Sequence, residues 1–262
     1  MAENTQTSRM AERFNNSHSA RLRSATLERV HQTAFGDDYA VDTYANGFYS
    51  GTTLRKLRDG LRLEPNRTLA DLGCGHGGPG LWVAKQTGAA LIGIDISSVG
   101  VDLAREQAVH LGIADRARFQ VGDMTATGLP DASCDAVLSL DVLIFVPDKI
   151  AAVREFVRIL RTGGTLGFTT WEQSGYNARL GVEQLGDHRP LLEAAGFAID
   201  AYEEPPEWRR QQTALAEGLI AAELALANEM DAAYAAGFAA MARGNLAEMP
   251  VRRYVRAIVT KR

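Results

Sequence analysis

The chain has 262 residues, of which 46% are apolar, and it carries a formal net charge of −4. This length suffices for one large α/β domain with an elaborated cap, and the acidic balance argues against a protein that holds nucleic acid mainly through its phosphates. Two cysteines, Cys74 and Cys134, provide neither a disulfide framework nor the ligand spacing of a metal site. We therefore expect a reducing, cytoplasmic environment, no metal and no nucleic-acid partner.

Residues 1–50 are predicted to form a tail and a lid. The first 16 residues are polar and aperiodic, so neither ordered structure nor the apolar core of a signal peptide is expected there. A helix is possible over residues 20–34. The aromatic, glycine-interrupted segment from Phe35 to Ser50 is typical of a lid that lines an apolar pocket, although the same rings would also serve to pack N-terminal helices on a sheet. Its aromatic residues are Phe35, Tyr39, Tyr44, Phe48 and Tyr49.

Residues 51–262 are predicted to form the main domain. Leucines at helical spacing indicate a helix over 52–61, and from residue 68 onward short apolar runs alternate with amphipathic segments. This alternation predicts an α/β fold in which helices cover both faces of a parallel sheet. No apolar run reaches the ~18 residues needed to cross a membrane, so no membrane contact is expected. The predicted strands are 68–72, 90–94, 117–121, 135–140, 165–170, 197–202 and 254–260.

An alanine-rich segment at about 206–248 interrupts the predicted sheet before its last strand. Its apolar residues recur at a helical period, and acidic residues are distributed along it, which argues against a membrane anchor. We expect it to be helical, and the family resemblance carried by the motifs below implies that it forms a cap or the surface of a homodimer.

A glycine-rich turn follows the first predicted strand. Residues 73–78 satisfy the pattern G-x-G-x-x-G, whose glycines permit positive φ angles and a close approach of the backbone to a ligand at a helix N-terminus. The pattern alone does not separate dinucleotide binding from the binding of other nucleosides. Asp71 lies two positions before the first glycine, where a carboxylate is suited to meet a positive charge. The predicted ligand therefore carries an ammonium group as well as a ribose.

Carboxylates also follow the next three predicted strands. Asp95 comes twenty residues after Gly75, the spacing expected of a carboxylate that accepts hydrogen bonds from two ribose hydroxyls. Asp123 is placed to accept from an exocyclic amine, and Met124 offers a polarisable apolar face to a base. The alternatives are a helix N-cap for Asp95 and ordinary turns for Asp123 and Asp141.

These motifs, taken together, resemble those of class I S-adenosylmethionine-dependent methyltransferases, and in particular small-molecule enzymes of bacterial natural-product metabolism. The resemblance covers about residues 50–203, with the motifs in the order of the family. The motifs are Asp-Leu-Gly-Cys-Gly-His-Gly at 71–77, Gly-Ile-Asp-Ile-Ser at 93–97, Gly-Asp-Met at 122–124, Asp-Ala-Val-Leu at 135–138 and Leu-Arg-Thr-Gly-Gly at 160–164.

The resemblance implies a three-layer, doubly wound, Rossmann-like fold. Its sheet has seven mostly parallel strands, and the last strand inserts antiparallel between strands five and six. The implied cofactor is S-adenosylmethionine, with S-adenosylhomocysteine as product. The implied cofactor contacts are Asp71, Gly73 and Gly75 for the methionine part, Asp95 for the ribose, Ile96, Asp123 and Met124 for the adenine, and the Leu140 backbone for the methionine amine.

The acceptor is expected to be a small aromatic or apolar molecule that is methylated on oxygen, nitrogen or carbon. A base is needed only if the acceptor arrives protonated, and His188 and Glu172 are the candidates, although a histidine before a helix is often only a capping residue. The candidate acceptor contacts are Tyr39, Tyr44, Tyr49, Asp141 and Trp171, for which ordinary core packing is the alternative.

Three other functions share some of these sequence features. A nicotinamide-dependent oxidoreductase would share the glycine turn and the ribose carboxylate, but it would not explain Asp71 or Asp123. A nucleic-acid methyltransferase acting on exocyclic amines would carry an Asn/Asp-Pro-Pro-aromatic motif where this chain has Leu-Asp-Val-Leu at 140–143. A cyclase or binding module that keeps the cofactor without transferring a methyl group stays open at this stage.

Overall fold

The computed structural model describes residues 2–21, 24–40 and 47–262, and within these the side chains of 8–18, 24–40 and 47–262. Tyr44, a predicted acceptor contact, lies outside the described residues. The strands are β1 (Thr68–Leu72), β2 (Ala90–Asp95), β3 (Ala117–Val121), β4 (Cys134–Leu140), β5 (Leu160–Glu172), β6 (Gly175–Asn177), β7 (Val182–Gln184), β8 (Phe197–Glu203) and β9 (Arg253–Lys261).

Helices alternate with these strands through most of the chain. They are α1 (Ala2–Arg21), α2 (Ala25–Phe35), α3 (Gly51–Gly60), α4 (Gly78–Thr87), α5 (Ser98–His110), α6 (Lys149–Ile159), α7 (Arg189–Ala194), α8 (Trp208–Ala221), α9 (Glu223–Ala227) and α10 (Ala232–Glu248).

In the described part of the chain, the central sheet has seven strands in the order β3-β2-β1-β4-β5-β9-β8. Strands β1 to β5 pair in parallel, and β9 pairs antiparallel with both β5 and β8. This topology confirms the predicted Rossmann-like fold and its antiparallel last strand. The order reverses between β1 and β4, and ligands of such sheets bind outside the carboxyl ends of the strands at that point.

Two apolar layers hold helices against the sheet. Successive strand residues point to opposite faces, so Leu69 packs with α3, α4 and α5, whereas Ala70 packs with α6 and α7. Because both faces are covered, the central strands are nearly continuous apolar runs. The strand ends are therefore the place where polar side chains reach a ligand.

A third apolar cluster lies away from the sheet. Leu27 and Phe35 of α2 pack against Leu215 and Leu219 of α8 and Phe238 of α10. The helix α2 and the segment inserted before β9 therefore share one core.

The expectation of disorder over the first 16 residues was wrong, because α1 is helical from Ala2 onward. Its polar residues bind other elements: Asn15 Oδ1 accepts hydrogen bonds from Ser97 Oγ at 2.7 Å and from the backbone N–H of Val99 at 3.2 Å. Phe14 packs edge-on against Phe145, with 5.2 Å between the ring centroids. Tertiary contacts of this kind leave no apolar period in the sequence.

The hairpin of β6 and β7 was not predicted, because two strands of three residues each are too short to show an alternating pattern. No helix in the described residues is long and apolar enough to cross a membrane.

Candidate active site

The glycine turn after β1 forms the floor of a cavity. Gly73, Gly75 and Gly77 have φ angles of 77°, 52° and 83°, which L-residues with side chains rarely adopt. A Cβ atom on Gly73 would lie 2.5 Å from the Val142 side chain, and one on Gly75 would lie 2.8 Å from His18. Both positions therefore require glycine for the close packing of Val142 and His18, and both glycines line the cavity.

Asp71 is buried beside this turn, and no ion pair with it is found among the described residues. Its side chain is 2% exposed, and within the described residues its Oδ2 atom has no hydrogen-bond partner. Burial and the nearby charge of Asp95 raise the pKa of Asp71 to about 8. A buried carboxylate of this kind is the complement of an ammonium group.

Asp95 is the last residue of β2, the strand beside β1 in the sheet. It accepts hydrogen bonds from the backbone N–H groups of Gly75, at 2.7 Å, and Ser97, at 2.8 Å. Burial raises its pKa although these two bonds act in the opposite direction. Ser97 takes the N-cap of α5 by accepting from the Gly100 N–H at 2.9 Å. The carboxylate of Asp95 is therefore fixed in the cavity wall rather than used as a helix cap.

The end of β3 contributes Asp123 and Met124. Oδ1 of Asp123 accepts from the backbone N–H and the hydroxyl of Thr125, each at 2.8 Å, so the residue does shape a turn. Both Asp123 and Met124 also line the cavity. Asp123 can therefore shape the turn and face a ligand at the same time.

The cavity has a volume of about 270 Å³ and extends from these strand ends to the inserted helices. All eight predicted cofactor contacts and three of the five predicted acceptor contacts are in its wall. These residues are Asp71, Gly73, Gly75, Asp95, Ile96, Asp123, Met124 and Leu140 on one side, and Tyr49, Asp141 and Trp171 on the other.

Comparison with known proteins gives this arrangement a family. Residues 70–168, which run from β1 into β5, match the profile of a family described as a methyltransferase domain. The chain carries a class I methyltransferase domain.

Two curated relatives of this methyltransferase domain come from actinobacterial sources. Methyltransferase GfsG of Streptomyces halstedii is 30% identical over 55% of this chain and 51% of its own length. The 27-O-demethylrifamycin SV methyltransferase of Amycolatopsis mediterranei is 35% identical over 42% of this chain and 41% of its own length. The chain thus matches about half or less of the length of these relatives.

A solved structure shows the same fold over nearly the whole chain. The crystal structure of the cyclase SpnF has a TM-score of 0.75 at 22% identity and covers 97% of this chain and 96% of its own. At that identity the likeness extends to the fold, including the N-terminal helices and the inserted segment.

The methyltransferase domain fits S-adenosylmethionine, the cofactor of its class. The Oδ2 atom of Asp71, which has no hydrogen-bond partner in the described residues, is suited to pair with the ammonium group of the cofactor. Carboxylates at the ends of β2 and β3 suit ribose hydroxyls and an exocyclic amine, and the glycine turn lines the same cavity, where the methionine part would lie.

The structure does not bring the predicted catalytic pair to the cavity. The side chains of Glu172 and His188 are 0% and 1% exposed, and neither lines the wall. Oε1 of Glu172 accepts from His188 Nδ1 at 2.9 Å, from the His188 backbone N–H at 2.7 Å and from the hydroxyl of Tyr202. Its Oε2 accepts from Arg253 Nε at 2.7 Å. The pair ties β5, β8 and β9 together, so a role in proton transfer is not supported by its position.

Tyr39 also lies away from the cavity wall, where it packs partly buried on the cluster shared by α2 and the inserted helices. Its position follows the packing alternative rather than the acceptor contact.

Asp141 lies between the two sides of the cavity, with a φ of 61°. Its Oδ2 accepts from the Phe48 N–H at 2.7 Å, and its Oδ1 accepts from the hydroxyls of Thr169 and Tyr254, each at 2.8 Å. Burial raises the pKa of Asp141, while these bonds act to lower it. The residue therefore attaches the end of the predicted lid to the sheet.

The part of α1 that lines the cavity was not predicted from the sequence. Helix α1 places one face against the cofactor side, and His18 lies edge-on to His76 with 5.8 Å between the ring centroids. The lining residues recur at i, i+3, i+4, i+7 and i+8, the period of one helix face, but three of the five are polar, so no apolar period marks this face in the sequence. They are Met10, Arg13, Phe14, Ser17 and His18.

The wall of the cavity on the side of the inserted helices was not predicted from the sequence either. It is assembled from the hairpin of β6 and β7, from α8 and α10, and from the residue before β9. Its residues are Asn177, Arg179, Leu180, Gln184, Leu215, Leu219, Phe238, Met241, Asn245, Glu248 and Arg252.

Proposed function

We propose that the whole chain is an S-adenosylmethionine-dependent methyltransferase that acts on oxygen, nitrogen or carbon of a small, largely apolar metabolite. The observation that carries this proposal is the single cavity in which the predicted cofactor contacts meet an apolar chamber under α8 and α10. The names of the actinobacterial relatives support a place in natural-product metabolism. The cytoplasmic location and the homodimer stay predictions.

The cofactor supplies an electrophilic methyl group, so the residues of the chain need to bind, orient and exclude water. Asp71 would hold the ammonium group of the cofactor, and Asp95 would hold its ribose. Helix α1 covers the glycine turn through His18, and the rings of Phe48 and Trp171, with centroids 5.6 Å apart, belong to the apolar wall. Trp208 packs against Trp171 with 5.4 Å between the centroids. Alignment in a site closed to water can supply much of the rate acceleration.

Acid–base chemistry has a small part in this proposal. Among the described residues, the carboxylate placed between the cofactor and acceptor sides is Asp141, and it already accepts three hydrogen bonds. We infer that the acceptor atom is nucleophilic without a strong side-chain base, or loses its proton to water.

A cyclase is the second candidate, because the fold of SpnF matches nearly the full chain. Such an enzyme would use the apolar chamber to fold its substrate and would leave the methyl group on the cofactor. A nicotinamide-dependent oxidoreductase is disfavoured, because it would not explain a buried carboxyl group with an unpartnered oxygen beside the glycine turn.

Calorimetry and product analysis test the proposal together. We expect S-adenosylmethionine and S-adenosylhomocysteine to bind, NAD not to bind, and radiolabelled methyl groups to move to apolar acceptors. Asp95→Ala should weaken cofactor binding by about 1.5–3 kcal/mol, as expected for hydrogen bonds to a charged acceptor.

Asp102→Ala is the matched control, because Asp102 lies on α5 in an exposed pair with Arg105. Unchanged affinity in Asp95→Ala would refute the ribose assignment. Substrate conversion without consumption of the bound cofactor would favour the cyclase.

A further inference from the structure

Two arginines meet in the wall of the cavity, beside α10. Arg179 lies in the turn between β6 and β7, and Arg252 lies directly before β9. Their guanidinium groups share the carboxylate of Glu248, with Nη2 of Arg179 2.7 Å and Nη1 of Arg252 3.1 Å from its Oε2. All three side chains line the cavity. Two cations against one carboxylate leave this part of the wall with a net positive charge.

Arg252 is the more deeply buried of the two. Its side chain is 5% exposed, and its Nε atom has no hydrogen-bond partner in the described part of the chain. The guanidinium carbon lies 3.9 Å from the centroid of the Trp171 ring. Burial lowers the pKa of Arg252 to about 10, despite the charge of Glu248. A buried cation with unused donor capacity is costly unless an anion approaches it.

Neutral amides complete this part of the wall. Asn245 Oδ1 accepts from Arg179 Nη2 at 3.2 Å, and Asn177 Nδ2 donates to Glu248 Oε1 at 3.3 Å. The carboxylates that follow β1, β2 and β3 line another part of the same cavity, at the strand ends. The cavity is therefore acidic where the cofactor is proposed to bind and basic under α10.

We propose that Arg252 and Arg179 bind a carboxylate carried by the acceptor on an otherwise apolar body, and so fix which atom of the acceptor faces the glycine turn. A planar guanidinium matches the two oxygens of a carboxylate. One net positive charge matches a singly charged group better than a phosphate. The apolar body would lie against Trp171 and Phe238. This inference rests on the proposed function, because it assigns the acceptor half of the same cavity.

The experiment compares octanoate with octanamide, two ligands of nearly equal shape that differ in charge. Calorimetry measures the binding of each to protein saturated with S-adenosylhomocysteine and to protein without it. We expect octanoate to bind about tenfold or more tightly than octanamide, as hydrogen bonds to charged groups allow. Arg252→Met and Arg179→Met should each lose most of this preference.

Arg243→Met is the matched control, because Arg243 pairs with Glu223 on the outside of the same inserted helices and does not line the cavity. It should keep the wild-type preference. If Arg252→Met does not fold, Arg252→Lys keeps the charge without the planar fork and should show an intermediate preference. S-adenosylhomocysteine affinity is measured in every variant and should not change.

Equal binding of the two ligands by the wild type, or binding of neither, would overturn the carboxylate assignment. A preference that persists in both methionine variants would overturn the choice of residues. A wild-type protein that does not bind S-adenosylhomocysteine would contradict the proposed function. The titrations without that ligand would still test the role of the two arginines.

Discussion

At the scale of single residues, the distinction that matters is between buried polar groups with partners and those without. Glu172 has a donor on each carboxylate oxygen, and hydrogen bonds from His188 and Tyr202 hold its pKa below the usual range although burial acts to raise it. Asp71 and Arg252 each retain an atom without a partner in the described residues, and both line the cavity, whereas His188, whose Nε2 atom also has none, does not line it. The first arrangement stabilises the fold, and the second is suited to a ligand.

His188 provides a direct test of this distinction. Its substitution by alanine would leave Glu172 buried with fewer donors, so we expect a loss of about 1–3 kcal/mol in the free energy of unfolding. Turnover per folded molecule should stay near that of the wild type, since the side chain does not line the cavity. Denaturant unfolding measures the first and methyl transfer at saturating substrate the second. A large fall in turnover with unchanged stability would instead support catalysis by His188.

At the scale of elements, the two N-terminal helices have different roles. Helix α1 contacts the cofactor side of the cavity and the N-terminus of α5, through Phe14, His18 and Asn15. Helix α2 contributes Leu27 and Phe35 to the core that it shares with α8 and α10. The prediction of one lid over residues 1–50 therefore divides into a cover over the cofactor and a packing element.

A truncation separates these roles. Removal of residues 1–23 deletes α1 and should leave a folded sheet with weakened S-adenosylhomocysteine binding, because the glycine turn would become open to water. Leu27→Ala in the full-length chain should cost about 2–5 kcal/mol of stability, as for other buried leucines, with little effect on cofactor affinity. Calorimetry and thermal unfolding report the two quantities. Full affinity after the truncation would contradict the role of α1 as a cover.

At the scale of the whole molecule, the fold and the cofactor side were predictable from sequence, whereas the acceptor side was not. Asp71, Asp95 and Asp123 follow short apolar strands, and the parallel sheet brings strand ends to one edge whatever the connecting helices do. Arg179 and Arg252 come together only through a short hairpin and a helix end, which show no period. The position of His188 outside the cavity wall could not be read from the sequence, because closeness in sequence to the end of β5 does not tell which way a side chain points.

The burial of Asp71 makes the stability of the unliganded protein depend on pH. Burial raises the pKa of this carboxyl group to about 8 in the folded chain, from its ordinary value of 3.8, which applies to the unfolded chain. Between these values the folded state binds more protons than the unfolded state, so the contribution of Asp71 to stability falls as the pH rises from about 4 to about 8. Asp71→Asn keeps the shape and removes the titration.

We therefore expect Asp71→Asn, without ligand, to be more stable than the wild type at pH 8 by about 1–3 kcal/mol, the usual cost of a buried unsatisfied group. The difference should shrink toward pH 5, where the wild-type carboxyl is protonated in the folded state. S-adenosylhomocysteine should reverse the order at pH 8, because its ammonium group pairs with Asp71 in the wild type alone. Thermal unfolding across this pH range, with and without the ligand, measures each part. A variant that is less stable than the unliganded wild type at pH 8 would show that Asp71 already has a compensating partner and is not held ready for a cation.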